Sequence, residues 1–212
     1  MKIWALTGGI GMGKSTATGI LRRHRIPVFD ADAAVHRLQG PGGAATRPIA
    51  AAFPGTTRPT PRGPMVDREA LRRIVLADPA ALRRLEAIVH PLVRREERRF
   101  LARARRRGAG LAVLDIPLLF ETGGERRADA VIVVTAPPAI QRARVLRRRG
   151  MTEDRFRAIL ARQVPDSLRR RRADHLIRTG LSRHHAQRAM QRLLAAHAAK
   201  RPPAAPRAPS AA

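Results

Sequence analysis

The stretch Gly8-Gly9-Ile10-Gly11-Met12-Gly13-Lys14-Ser15-Thr16 decides the reading of this chain. It fits the pattern G-x-x-x-x-G-K-[ST], and its flanks fit as well. Lys2–Thr7 before it is a short apolar and β-branched run, the pattern of a buried strand. Ser15–Arg25 after it sets Ile20 and Leu21 in a polar, helix-favouring frame. Strand, glycine loop and helix in that order predict a phosphate-binding loop. Its glycines let the backbone curl so that successive N–H groups point inward at phosphate oxygens. The helix adds its positive N-terminal end. In such a loop Lys14 bridges the β- and γ-phosphates of a nucleoside triphosphate, and the Ser15 hydroxyl ligates Mg²⁺. Gly9 and Gly11 exceed the pattern's minimum and allow a tight fit. The motif leaves the phosphoryl acceptor open: water, a protein or a metabolite.

Outward from this loop, strand and helix patterns alternate. Ile26–Asp30 reads as a second strand closed by Asp30-Ala31-Asp32. Leu111–Ile116 and Ala130–Thr135 read as buried strands, and His175–Arg178 as a last short one. Helices are expected at Pro137–Arg149 and Thr152–Gln163, and from Ser182 onward. Asp67 and Asp78 sit where helix caps belong, the second followed by Pro79 at the first helical position. His90-Pro91 is expected to break or kink the helix begun there. Residues 40–64, rich in Gly, Pro and Thr, read as a loop or weakly ordered insertion. Five strands alternating with helices predict a parallel sheet covered on both faces.

The chain has 212 residues and 44% hydrophobic content, enough for one α/β domain with a sizeable core. It has no Cys, which excludes disulfides and Cys-based zinc sites. No apolar run reaches membrane-spanning length, and the N-terminus has no signal-peptide pattern, so a soluble cytoplasmic protein is expected. The net charge of +27 suggests a polyanionic partner. Against that, only Lys2, Lys14 and Lys200 are lysines, Asn is absent and Ala abundant, the bias of GC-rich coding DNA. At 3% aromatic content there is no stacking platform for single-stranded nucleic acid. Residues 202–212 contain only Pro, Ala, Arg and Ser and are expected to be a disordered tail beyond a domain of residues 1–201.

Carboxylates and arginines choose the chemistry. Asp30 and Asp32 follow the second strand, and the carboxyl ends of parallel strands carry the ligand crevice. One can cap the next helix while the other accepts the acceptor's proton. Asp115 ends an apolar strand, either as a metal-holding carboxylate or as a solvated strand end. Residues 136–172 are dense in Arg. Arg144 and Arg148, four apart, share a helix face and offer two guanidinium forks to triphosphate oxygens, unless the run is a solvated surface.

Taken together, the chain resembles the dephospho-coenzyme A kinases, a family of P-loop metabolite kinases. The resemblance runs from about residue 3 to 195. It rests on Leu6–Thr16, Asp30-Ala31-Asp32, Val66-Asp67-Arg68 and Ile88-Val89-His90-Pro91-Leu92. It continues in Asp115-Ile116-Pro117-Leu118-Leu119-Phe120-Glu121, Arg144-x-x-x-Arg148-x-Gly150-Met151-Thr152, Gln163 and Ala173-Asp174-x-x-Ile177. It implies a P-loop NTPase-type sheet with a helical acceptor-binding insertion around 40–107 and a lid around 136–165. It implies transfer of the ATP γ-phosphoryl group to the ribose 3′-hydroxyl of dephospho-coenzyme A, with Asp32 as base and Lys14, Arg144 and Arg148 acting on the phosphates. Gly8, Gly9, Gly11, Met12, Gly13, Ser15 and Thr16 would hold the nucleotide, and Ser15 and Asp115 the Mg²⁺. His90 and Pro117, Leu118, Leu119, Phe120 and Glu121 would lie against the acceptor. The sequence departs from the family at Met12, usually Ser, and at Thr179, usually an Asn near the adenine. The alternatives are a kinase for another small metabolite or nucleotide, and a basic nucleic-acid-associated NTPase.

Overall fold

A computed structural model describes residues 1–199; the tail expected at 202–212 lies outside the described residues. The chain runs β1 (Lys2–Thr7), α1 (Lys14–Arg23), β2 (Val28–Asp30), α2 (Ala31–Gln39), α3 (Thr46–Ala52), β3 (Thr57–Arg58), β4 (Met65–Val66), α4 (Arg68–Ala77) and α5 (Pro79–Arg106). It continues β5 (Leu111–Asp115), a 3₁₀ turn (Gly124–Arg127), β6 (Ala130–Thr135), α6 (Pro138–Leu146), α7 (Glu153–Ala161), α8 (Asp166–Arg171), β7 (His175–Arg178) and α9 (Arg183–Ala199).

The main sheet has the order β2-β5-β1-β6-β7, and every pairing in it is parallel. Period-two alternation sends the strand side chains to two cores. Trp4, Leu6, Val113, Ile132 and Val134 pack against Ile20 and Leu21 of α1 and Met190 of α9. Ala5, Ala112, Leu114, Val131 and Val133 pack against Leu101 and Ala104 of α5. Strands covered on both faces must be apolar on both, which is why β1, β5 and β6 read as continuous apolar runs. β1 lies between β5 and β6, so the chain leaves it at the point where connections diverge, where open α/β sheets place their ligand crevice.

The expected caps are present. Asp67 accepts from the Ala70 amide at 3.1 Å, Asp78 from the Ala80 amide at 2.7 Å, and Ser182 from the His185 amide at 3.0 Å. Two expectations need correction. Of the break or kink expected at His90-Pro91, the break does not occur: α5 runs for 28 residues, about 42 Å, with Pro91 inside it. Burial on both sides of the proline offsets its missing N–H, with Val89 in the core of the insertion and Leu101 and Ala104 in the core under the sheet. Residues 40–64 are not a weakly ordered loop either. They contain α3 and the first strand of the antiparallel β3–β4 pair, and they contribute to a third core of Leu38, Ile49, Phe53, Val66, Leu71 and Val89. Its elements are too short for a periodic signal, and their order comes from tertiary burial. Phe53→Ala, at a side chain only 3% exposed, is therefore expected to destabilise the protein by about 3–5 kcal/mol in urea unfolding. A loss near zero would return this segment to the loop reading. Among the described residues, no helix is long and apolar enough to cross a membrane.

Candidate active site

The phosphate loop closes on itself through local geometry. Gly13, at φ +88°, takes a left-handed conformation that starts α1, so Lys14 follows at the helix's first turn. A side chain there would also strike Thr179 Oγ1 at 2.8 Å. Met12 turns away from the cleft into the core, 2% exposed, where its sulfur accepts from the Ala136 amide at 3.1 Å. Its departure from the family pattern therefore puts no side chain in the cleft, and Met12, expected to hold the nucleotide, is not among the residues that line it. Ile10 is clamped from the far side: its amide donates to Gln163 Oε1 at 3.1 Å and its carbonyl accepts from Gln141 Nε2 at 2.8 Å.

A cleft of about 1040 Å³ opens over this loop. Gly8, Gly9, Gly11, Gly13, Lys14, Ser15, Thr16, Asp32, Asp115, Pro117, Arg144, Arg148, Gln163 and Thr179 all line it. Lys14 Nζ donates to Asp115 Oδ1 at 2.5 Å, and Thr18 Oγ1 donates to Asp115 Oδ2 at 2.6 Å. Asp115 is 3% exposed, so it is not the solvated strand end that the sequence allowed. A buried carboxylate needs such partners, because desolvation otherwise opposes its charge.

Asp30 and Asp32 divide their work. Asp30 caps α2, accepting from the Ala33 amide at 2.9 Å, and its other oxygen lies 3.6 Å from Arg22 Nη2. Asp32 makes no hydrogen bond or ion pair with a described residue and opens on the cleft. The residue is exposed on the cleft side, and its carboxylate is partly desolvated by the surrounding protein. That desolvation raises its pKa above the ordinary 3.8; the Lys14 charge opposes the rise, while Asp30 and Asp115 add to it. A carboxylate without a partner, with a raised pKa, facing an ammonium across a phosphate cleft, can take a proton from a hydroxyl.

The arginines are placed differently from each other. α6 ends at Leu146, so Arg144 is helical and Arg148 lies beyond the helix, yet both reach the cleft. Arg144 Nη2 donates to the Thr179 carbonyl at 2.7 Å and Nη1 to Thr179 Oγ1 at 3.0 Å. The Thr179 hydroxyl itself donates to the Met12 carbonyl at 2.6 Å. Thr179, 4% exposed, thus braces the phosphate loop and Arg144, and its hydroxyl is not left for a base.

A second cavity of about 280 Å³ shares Asp32 and Pro117 with the first. Val35, Val93, Ile116 and Leu118 make it largely apolar, and His90 lines it from α5. Arg127 Nε donates to Glu97 Oε1 at 3.1 Å at its wall, which satisfies a glutamate only 5% exposed. The expected Pro117–Glu121 segment is split by this geometry. Pro117 and Leu118 reach the cavities. Leu119 and Phe120 do not: they are buried in the core beneath the sheet. Glu121 accepts from the Val164 amide at 2.8 Å, tying the segment to the chain between α7 and α8. Thr18, Gln141 and the Glu97–Arg127 pair were not foreseen. Thr18 stands one helical turn after Lys14, which is a usable signal; the others depend on contacts across the fold.

Comparison with known proteins places this geometry. The sequence profile described as "Dephospho-CoA kinase" matches residues 2–184. The dephospho-CoA kinase of Cereibacter sphaeroides is 54% identical over 193 residues, covering 91% of this chain and 93% of its own. That of Paramagnetospirillum magneticum is 59% identical over 170 residues, 80% of this chain and 78% of its own. Among solved structures, TT1252 from Thermus thermophilus superposes with a TM-score of 0.79 at 35% identity, covering 92% of this chain and 97% of its own. The Campylobacter jejuni dephospho-CoA kinase gives 0.63 at 19% identity over the same shares, a likeness of fold. With the profile spanning nearly the whole described chain, and relatives above half identity across it, this protein belongs to the dephospho-CoA kinase family.

Proposed function

We propose that the protein transfers the γ-phosphoryl group of ATP to the ribose 3′-hydroxyl of dephospho-coenzyme A, giving coenzyme A and ADP, with Asp32 as the base. The observation that carries the residue assignment is the free Asp32 carboxylate at the junction of the two cavities. ATP lies along the phosphate loop. Its arrival draws Lys14 from Asp115 to the phosphate oxygens, and Arg144 and Arg148 hold the same charge from the opposite wall. The acceptor enters from the second cavity, between His90, Pro117 and Leu118, so that its hydroxyl meets Asp32 in line with the γ-phosphorus. Asp32 takes the hydroxyl proton as the new P–O bond forms, and ADP leaves with the electrons of the broken bond. The test is incubation of purified protein with ATP and dephospho-coenzyme A. Coenzyme A identified by mass, with one ADP per product, supports the reading; turnover of a different hydroxylated metabolite in its place overturns it.

Ser15 and Asp115 supply hard oxygen donors, and no cluster of three or more acidic or histidine ligands occurs among the described residues. That donor set fits Mg²⁺, which keeps most of its waters and is held largely by substrate phosphates. Held by Ser15 and Asp115, it would supply positive charge against the phosphates. Chelation is expected to abolish turnover. Asp115→Asn is expected to raise the Mg²⁺ concentration for half-maximal rate by roughly 10-fold to 100-fold. An unchanged magnesium requirement removes Asp115 from this role.

Residues 136–165 are the lid, and 40–107 the acceptor-binding region. A lid that closes over triphosphate orders further on binding. Amide exchange across 138–163 is expected to slow when an ATP analogue and acceptor are added, and equal exchange in both states would return these arginines to surface duty.

A further inference from the structure

One arginine in the basic run between the lid and the last strand is not on the surface. Arg169, on α8, is only 3% exposed, and its Nε and Nη1 have no hydrogen-bond partner among the described residues. Its nearest counter-charge, Asp166 Oδ1, stands 3.8 Å from Nη2, while the other Asp166 oxygen accepts from Thr135 Oγ1 at 2.8 Å. What the guanidinium does touch is the phosphate loop. A methyl group built on Gly9 would lie 2.5 Å from Nη2, 3.0 Å from Cζ and 3.1 Å from Nη1. At Gly9 the guanidinium therefore occupies the space that a Cβ would take.

Burying a guanidinium with idle donors is unfavourable, and desolvation pulls its pKa down against the pull of Asp166 and Glu121. A fold that keeps it there has a planar, rigid group against the loop at Gly9, and Arg169 is not among the residues that line the cleft. The loop is held at Ile10 by Gln141 and Gln163, and at Met12 by Thr179; Gly9 accepts from the Met12 amide at 3.1 Å within the loop, and Arg169 is the side chain set against it from outside.

We infer that Arg169 is a positioning residue for phosphoryl transfer: its guanidinium backs the phosphate loop at Gly9 and holds that curve in its phosphate-binding shape. It acts through the loop and not on the nucleotide directly. The inference rests on the kinase reading for its substrate, but its test does not depend on the acceptor. Removing the brace should weaken ligands in proportion to the phosphates that the loop must hold.

The experiment is calorimetric titration of the intact protein with ATP, ADP and AMP, for Arg169→Met, Gly9→Ala and the double variant. Arg169→Met is expected to weaken ATP by about 10-fold to 100-fold, one step milder than removal of a donor that touches the reacting group. ADP should lose less and AMP almost nothing. Gly9→Ala pushes the guanidinium aside and should reproduce that pattern. The double variant should be no worse than Arg169→Met alone, since there is then nothing left to displace. If Arg169→Met does not fold, Arg169→Lys, which keeps the charge but loses the plane, is read against the same three nucleotides. Equal losses for ATP and AMP, or additive losses for Arg169→Met and Gly9→Ala, would reduce Arg169 to core packing and overturn the inference. Should the wild type bind ATP yet leave dephospho-coenzyme A untouched, the acceptor reading falls while the titrations still decide this one. A steady-state check follows: the KM for ATP should rise in Arg169→Lys and that for the acceptor should not.

Discussion

Lys14→Ala is expected to lower kcat/KM by about 10³-fold, the scale of removing a group that stabilises charge only in the transition state. Lys14 is the cation of the loop itself, and the arginines on the opposite wall do not take its place: Arg144 is tied to Gly11 and Thr179, and Arg148 lies beyond the end of its helix. The structure adds a second consequence. Lys14 Nζ is the charged partner of Asp115, whose side chain is 4% exposed, and Thr18 is the other partner. Removing the lysine leaves that carboxylate half satisfied in a buried place. A stability loss of about 1–3 kcal/mol should accompany the loss of rate. The two effects separate in Lys14→Ala/Asp115→Asn, where the melting temperature should recover and the rate should not. Near-normal turnover by a folded Lys14→Ala protein would sink the assignment of the loop.

Asp32→Asn is expected to reduce kcat by roughly 10²–10⁴-fold, the usual share of general-base catalysis, with ATP affinity nearly unchanged. Asparagine has the size of aspartate but takes no proton. Asp30→Asn should do little, because asparagine caps a helix about as well as aspartate. A large loss at Asp30 with none at Asp32 would reverse the pair. The raised pKa of Asp32 gives two further readings with definite sign. Its base form is lost at a higher pH than for an ordinary carboxylate, so the acid limb of kcat/KM should fall above 3.8. The same shift means that the folded state binds this proton more tightly than the unfolded chain does. Its contribution to stability is present below the ordinary carboxylate value and is lost as pH rises through the raised one. At neutral pH the ionised Asp32 therefore weighs against folding. Asp32→Asn should raise the melting temperature there while it lowers kcat. A variant that is both slower and less stable at neutral pH would show that Asp32 serves packing.

The residues that the sequence placed well act within a few positions of themselves. The glycines before Lys14 set a local turn. Asp67, Asp78 and Ser182 cap the amides that follow them. The apolar runs of β1, β5 and β6 state that both faces of the sheet are covered. Turn, cap and period-two patterns are chemistry between near neighbours, so they are legible without a fold, and with the ordered motifs they were enough to identify a family of phosphoryl-transfer enzymes.

What tertiary structure alone decided concerns partners far apart in the chain. Lys14 and Asp115 are 101 residues apart, and Ile10 and Gln163 are 153 apart; no local pattern says that the first pair is buried or that the second clamps the loop. In Pro117–Glu121, adjacent residues meet opposite fates, with Leu118 at the cavity and Leu119 in the core, because the sheet beneath sets which side is inside. Pro91 stays helical because the packing of α5 against two cores outweighs one missing backbone hydrogen bond. Asp30 and Asp32 are the same residue type two positions apart, and only the direction in which α2 leaves the sheet makes one a cap and leaves the other facing the cleft. Arg169 was hidden among identical neighbours, since a run of arginines looks solvated until the fold turns one of them against Gly9. Composition and spacing establish which groups exist; desolvation and pairing, which give them their roles, are properties of the assembled chain.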